Sequence, residues 1–193
     1  MGGQGGDLDD PHPRGRPHLH DRDAMTVHTS DTIRREAERL LRAARITRAP
    51  VSLRDVVSHL NLSLVERRRE PFVAEAALVP LGDGHAIELR GPAHERRLRF
   101  TIAHEIGHFL LHGERAVAER GGVTSLATAR YEREADQFAA ELLMPEALMR
   151  QAVLEDGLDA GRLADRFEVS LGAMRQRLRR LGLAERNAPS HPA

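Results

Sequence analysis

Residues 101–112 read Thr-Ile-Ala-His-Glu-Ile-Gly-His-Phe-Leu-Leu-His, and the five from His104 to His108 form the pattern H-E-x-x-H. Successive turns of an α-helix lie about 3.6 residues apart, so His104 and His108 share one helix face and can bind one Zn²⁺. Glu105 projects beside them, where its carboxylate can take a proton from an attacking water. The alternative is a helix with two surface histidines, because only three positions of the pattern are fixed. A third ligand must decide between these interpretations.

The third ligand must be His, Asp or Glu, because the chain has no cysteine. The candidates are Glu132, Glu134 and His112. At about 100° per residue, Glu132 falls inside the apolar arc of the helix that starts near Tyr131, whereas Glu134 falls on its polar side. A carboxylate on a core-facing surface is costly unless it is paired or bound to metal. We therefore predict Glu132 as the ligand and Glu134 as a solvated charge.

His112 and Asp136 are predicted to lie near the site without completing it. His112 continues the four-residue spacing, but three turns of a straight helix span ~12 Å, too far for all three histidines to reach one ion. We expect His112 to be a partly buried histidine beside a metal ligand. Asp136 either accepts the second N–H of a ligating histidine or is an ordinary exposed acid, and both interpretations stay open.

Two motifs, in this order, resemble those of the ImmA/IrrE metallopeptidases. Residues 99–112 carry R-F-T-x-A-H-E-x-G-H, and residues 132–145 carry E-x-E-A-[ND]-x-F-A-x-x-L-L-M-P. The resemblance extends over residues 31–184. It implies that zinc is bound by His104, His108 and a glutamate of the second motif, Glu132 by the geometry above, and that Glu105 is the general base.

The resemblance also implies the fold and the activity. The expected fold is α+β, a minimal zincin-like metallopeptidase domain in which a small antiparallel sheet packs with the active-site helices. The expected activity is limited proteolysis of a helix-turn-helix transcriptional repressor, in a prophage, mobile-element or stress response. Two rival interpretations are a non-catalytic regulator that binds a repressor or DNA, and a toxin–antitoxin component that acts by sequestration. The intact His104, Glu105, His108 and Glu132 favour the enzyme.

The remaining pattern predicts the elements that surround the motif. A helix capped by Ser30 or Asp31 buries Ile33, Ala37, Leu40, Leu41 and Ala44, and a second helix begins after Ser52. Residues 62–65 read as a strand, and residues 72–81 and 85–89 form a hairpin around Gly82-Asp83-Gly84. The edge of this sheet either pairs with an extended substrate or is purely structural. Residues 114–128 are expected to form a mobile loop.

The chain divides into four predicted segments: a disordered tail (1–29), the peptidase domain (30–156), a helix-turn-helix-like module (157–185) and a second disordered tail (186–193). In the module, a short helix at 163–167 precedes a break at Val169-Ser170 and a helix through Leu183. That last helix carries Arg175, Arg177, Arg179 and Arg180. It either reads DNA or packs on the core through Leu171, Met174, Leu178 and Leu181 with solvated arginines. We favour packing.

Composition agrees with a cytoplasmic protein that acts on another protein. The 29 basic and 29 acidic residues cancel, and aromatic residues make up only 3% of the chain. These values argue against a protein that coats nucleic acid or stacks single strands, so no tight direct DNA binding is expected. No apolar run approaches the ~18 residues of a membrane-spanning helix, and no secretory signal is visible.

Overall fold

The computed structural model describes residues 27–67, 76–89, 94–113 and 126–183. Most of both predicted tails, the first residues of the predicted hairpin and most of the predicted 114–128 loop lie outside the described residues. The described elements are, in chain order, α1 (Ser30–Ala43), α2 (Leu53–His59), β1 (Ser63–Glu66), β2 (Ala76–Leu81), β3 (Gly84–Leu89), α3 (Glu95–His112), α4 (Leu126–Leu143), α5 (Glu146–Asp156), α6 (Ala160–Phe167) and α7 (Leu171–Arg180). The fold is therefore mixed α+β, as predicted.

The sheet has three strands in the order β1-β3-β2. Gly82 and Asp83 form the turn between β2 and β3, and Gly82 has the positive φ of 57° that the first central residue of such a two-residue turn needs. β2 pairs antiparallel with β3, but β1 pairs parallel with the other edge of β3. The sheet is mixed, so the prediction of an antiparallel sheet is correct for the hairpin and wrong for β1. The outer edge of β2 contacts α3, where the backbone N–H of Leu78 donates to Glu105.

The N-terminal helices bury the faces that the sequence indicated. In α1 the side chains of Ile33, Ala37, Leu40 and Leu41 are buried, and α2 follows its cap Ser52 as predicted. The cap of α1, however, is Thr29 and not Ser30 or Asp31, because the Thr29 side chain accepts the backbone N–H of Thr32. Among the described residues, no helix is long and apolar enough to cross a membrane.

The last two helices pack on the same core as α3 and α4. Phe167, Met174 and Leu178 belong to one buried cluster with residues from the N-terminal helices, the sheet, α3 and α4. Of the predicted apolar stripe on α7, Leu171 is 39% exposed, because it is the first residue of the helix and lies beyond the packed face. Helix α7 ends at Arg180, three residues before the predicted Leu183.

Arg177 does not belong to the positive surface that the sequence suggested for α7. It is 3% exposed, its Nε donates to the carbonyl of Met144 at 2.9 Å, and its two terminal nitrogens pair with the carboxylate of Glu141. A buried guanidinium is tolerated because both of its sides are paired. Arg177 therefore joins α7 to the end of α4, and only Arg175, Arg179 and Arg180 of the predicted surface are exposed.

Arginines near the start of α3 join that helix to the α6–α7 segment. Arg96 pairs with Asp165 at 2.7 Å, and Arg99 pairs with Glu168 at 3.2 Å while donating to the carbonyl of Val51 at 2.9 Å. Burial lowers the pKa of Arg99 from its usual value, against the opposing charges of Glu168 and Glu95. These contacts fix the first turns of the helix that carries the H-E-x-x-H pattern.

Candidate metal centre

His104 and His108 lie on α3 with their ring nitrogens directed to one point. Their Nε2 atoms are 3.0 Å apart, and the two rings meet edge to face with centroids 4.7 Å apart. The side chain of His108 is 2% exposed and that of His104 is 14% exposed. The four-residue spacing thus places both imidazoles on the face of α3 that packs against α4, as the helical period requires.

Glu132 approaches the same point from α4. Its Oε2 lies 3.1 Å from Nε2 of His104, and its Oε1 lies 3.3 Å from Nε2 of His108. The three residues offer ligand atoms that all lie within 4.8 Å of one another, and together they can hold a metal ion. Two imidazoles and one carboxylate are a donor set that suits Zn²⁺ with a fourth position left for water or substrate.

Close packing of two helices brings these donors together. A Cβ added to Gly107 would lie 3.1 Å from Cα of Ala135 and 3.2 Å from Cβ of Phe138. Only a glycine lets α3 approach α4 this closely without moving its backbone. Gly107 lies between the two histidines on α3, and Ala135 lies one turn after Glu132 on α4. The close approach therefore sets the distance between the histidines and Glu132.

Asp136 occupies the first of the two roles that the sequence left open. Its Oδ1 accepts a hydrogen bond from Nδ1 of His104 at 2.9 Å, which directs Nε2 of that ring toward His108 and Glu132. Burial by itself lowers the pKa of His104, but the Asp136 hydrogen bond and the charges of Glu105, Asp136 and Glu132 outweigh it. The pKa of His104 is consequently raised above its usual value.

His112 contacts the second candidate ligand rather than joining the donor set. Its Nδ1 lies 3.1 Å from Nδ1 of His108, and its Nε2 lies 3.1 Å from Oε2 of Glu134. Burial lowers the pKa of His112, and the Glu134 hydrogen bond opposes that effect without cancelling it. His112 is thus a buried histidine in contact with His108, as expected, and the role of His108 as a metal ligand stays a prediction.

The predicted environments of Glu132 and Glu134 are reversed in the structure. The Glu134 side chain is only 7% exposed, whereas that of Glu132 is 48% exposed. Glu134 is covered because His112 contacts one oxygen and Arg130 lies 3.5 Å from the other. Nearly half of the Glu132 side chain is open to solvent instead. The prediction of Glu134 as a solvated charge is therefore wrong, although Glu132 is the glutamate that meets both histidines.

Glu105 lies on the buried side of α3 and contacts strand β2. The residue is 3% exposed, and its Oε2 accepts the backbone N–H of Leu78 at 2.9 Å. This contact was not predicted, because a backbone donor leaves no signature in the side-chain pattern. His28 was also missed as a neighbour of the site: its Nε2 lies 3.0 Å from the carbonyl of Leu111, and its ring contacts that of His112.

A mixed α+β domain with two histidines and a glutamate converging from adjacent helices, and a second glutamate beside them, is typical of metal-dependent peptidases. The sequence profile of the IrrE N-terminal-like domain, Peptidase_M78, matches residues 58–179. The chain therefore belongs to this peptidase family, which confirms the resemblance to the ImmA/IrrE proteins.

Comparison with other proteins adds information on the fold. No curated protein matches the chain. A solved structure described as a Mycobacterium tuberculosis transcriptional regulator is similar to it, with a TM-score of 0.57 and 19% identity over 76% of this chain and 46% of the regulator. The chain thus spans about half the length of that regulator. At this identity the likeness shows a shared fold.

Proposed function

We propose that the chain is a zinc-dependent endopeptidase that cuts a partner protein at a limited number of bonds. The observation that carries the proposal is the convergence of Nε2 of His104, Nε2 of His108 and the carboxylate of Glu132, with Glu105 following His104 directly on α3. The family to which the chain belongs supports a peptidase activity. The donor set supports zinc, which would be held by His104, His108 and Glu132.

Each nearby side chain has a role in the proposed reaction. When bound, zinc would act as a Lewis acid that polarises the scissile carbonyl and activates a water. Glu105 takes the proton of the attacking water and returns it to the leaving amine. The Leu78 N–H holds one oxygen of Glu105, which restricts the directions that its carboxylate can take. Asp136 and His112 orient the rings of His104 and His108 through their Nδ1 atoms.

Strand β2 is the proposed contact for an extended substrate. Leu81 and Gly84 flank the two-residue turn, so the alternating pattern of an antiparallel pair directs the backbone of Leu78 and Pro80 away from β3. The N–H of Leu78 is engaged with Glu105, and Pro80 has none. A substrate strand would therefore donate its own N–H groups to the carbonyls of Leu78 and Pro80.

Glu105→Gln tests the enzymatic part of the proposal. The amide can still accept the Leu78 N–H but cannot take a proton from water, so this protein should retain zinc and thermal stability while losing cleavage. Zinc should be near-stoichiometric in the wild-type protein and lost in His104→Ala and His108→Ala. Unchanged cleavage by Glu105→Gln would exclude the general-base role. A stable wild-type protein without affinity for zinc would exclude the metal.

The proposed substrate is a helix-turn-helix transcriptional repressor of a prophage, mobile element or stress response. The family resemblance supports this class. A repressor encoded beside the chain's gene is the first candidate, and incubation with zinc-loaded wild-type protein should yield discrete fragments that Glu105→Gln does not produce. Intact repressor in both reactions would argue against this substrate.

A second candidate function is a regulator that binds a repressor or DNA without cutting it. The observation in its favour is the exposure of Arg175, Arg179 and Arg180 on α7. None of the three forms an ion pair with another residue in the described part of the chain. Repressor binding without fragments, equal in wild type and Glu105→Gln, would favour this function. A toxin–antitoxin role by sequestration predicts the same binding without turnover.

A further inference from the structure

A groove of about 480 Å³ lies between α4 and α7, beside the candidate metal centre. Arg133, Gln137 and Ala140 lie on its α4 side, and Gln176 and Arg180 lie on its α7 side. Val27 and His28 also line it. Asp136 lines the groove and also holds His104 of the metal centre, so an occupant of the groove would lie within one side chain of the metal donors.

Some of the charged side chains that line the groove have a partner in the protein, and others do not. Glu134 and Asp136 are hydrogen-bonded to His112 and His104, and Arg177 is paired with Glu141. Arg130 lies 3.5 Å from Glu134. Within the described ranges, the lining charges without an ion pair are Arg133 and Arg180, both positive. A negatively charged occupant could therefore pair with these two arginines.

The groove also has an apolar part, formed by Phe100, Ala140, Met144 and Ala173. A ligand that fits both parts carries carboxylates next to an apolar side chain, which is the character of an acidic peptide segment. Duplex DNA fits less well, because about 100° per residue places Arg175 and Arg179 on a different face of α7 from Arg180. The arginines of α7 thus do not form one continuous phosphate-binding surface.

We propose that this groove is a docking site for an acidic segment of the protein substrate, with Arg133 and Arg180 pairing with its carboxylates. The inference rests on the proposed function, since it takes the occupant to be the protein that the metal centre cuts. Substrate held in the groove would be retained near the metal centre independently of the residues at the scissile bond. Selectivity for one protein would then come from the docking segment.

Binding can be measured apart from cleavage. The probe is a fluorescein-labelled peptide that alternates glutamate and leucine, with a matched peptide that has glutamine in place of glutamate, and the protein is the full chain carrying Glu105→Gln. The variant pair is Arg133→Gln with Arg180→Gln. The control pair, Arg175→Gln with Arg179→Gln, removes the same charge from surface that does not line the groove.

The acidic peptide should bind in preference to the glutamine peptide. The groove pair should weaken its binding roughly tenfold, because two charged contacts are lost, while the control pair leaves binding within about twofold. Removal of metal with a chelator should leave binding unchanged. Equal loss in both pairs, absence of binding, or loss of binding on chelation would overturn the proposal. So would tighter binding of a labelled DNA duplex that depends on the groove pair. Loss of cleavage in the wild-type assay, with peptide binding intact, would instead count against the proposed enzyme.

Discussion

Glu132 and Glu134 lie two residues apart on α4, and their replacement by alanine is expected to separate metal binding from stability. Glu132 is 48% exposed and meets the Nε2 atoms of His104 and His108, which also contact each other. Glu132→Ala should therefore remove the proposed ligand without leaving a buried group unpaired. Glu134 is 7% exposed, and its Oε2 accepts a hydrogen bond from Nε2 of His112. Glu134→Ala therefore leaves that buried nitrogen without its partner.

The magnitudes follow from these contacts. An unsatisfied buried donor costs about 1–3 kcal/mol, which for a chain of this size lowers Tm by about 2–4 °C per kcal/mol. Glu134→Ala should therefore lower the Tm of the metal-free protein by about 2–12 °C. Because Glu134 contacts the proposed ligand His108 through His112, its loss should weaken zinc binding by about 10–100-fold. Glu132→Ala should leave the metal-free Tm nearly unchanged and weaken zinc binding further still.

The assay measures zinc affinity by competition with a chelator and thermal unfolding of both the metal-free and the zinc-loaded proteins. At a zinc concentration that saturates Glu134→Ala but lies below the Kd of Glu132→Ala, zinc should raise the Tm of Glu134→Ala and leave that of Glu132→Ala nearly unchanged. Glu134→Gln is the matched control, because its amide oxygen can still accept from His112 and should restore most of the stability. Full zinc binding by Glu132→Ala together with its loss in Glu134→Ala would refute the assignment of the third ligand.

Three further predictions concern the packing and the last helix. Gly107→Ala gains about 1 kcal/mol of helix propensity but overpacks the α3–α4 contact, which costs about 1–3 kcal/mol. Denaturant unfolding should therefore show a lower free energy of unfolding, and zinc titration should show a weaker affinity. The control Gly172→Ala, whose added Cβ meets nothing, should not destabilise the protein. Arg177→Met leaves Glu141 unpaired and should cost about 3–5 kcal/mol in denaturant unfolding, against less than about 0.5 kcal/mol for exposed Arg179→Met. A mobility-shift assay at physiological salt should show no sequence-selective DNA complex, and selective nanomolar binding lost in Arg175→Ala with Arg179→Ala would contradict this.

Local sequence was sufficient to predict the elements that carry the site. The period of 3.6 residues placed His104 and His108 on one face, and the apolar spacing identified the helix that holds Glu132. Ser52 and the Gly82-Asp83 turn marked element ends through their own backbone preferences. These features depend on residues within one or two turns of each other, so a single sequence contains the information.

The errors share a different physical origin, because each depends on what packs opposite a residue. An angular projection of α4 places Glu132 and Glu134 around the helix axis but does not show that His112 covers one of them. For the same reason Arg177, a charged residue on α7, was taken for surface although Glu141 of α4 pairs with it. Which edge of the hairpin β1 joins depends in the same way on long-range packing, which the local pattern does not contain.

The contact between Leu78 and Glu105 links the proposed general base to the strand that would align a substrate. A peptide that pairs with β2 takes its register from the carbonyls of Leu78 and Pro80, and the N–H of Leu78 simultaneously fixes the carboxylate of Glu105. The position of the scissile bond relative to the base is then set by one strand rather than by two independent elements. The close contact at Gly107, on the same helix, sets the distance between the two histidines and Glu132. In the proposed reaction, the relative positions of the base, the metal ligands and the substrate therefore all depend on how α3 packs against its two neighbours, α4 and β2.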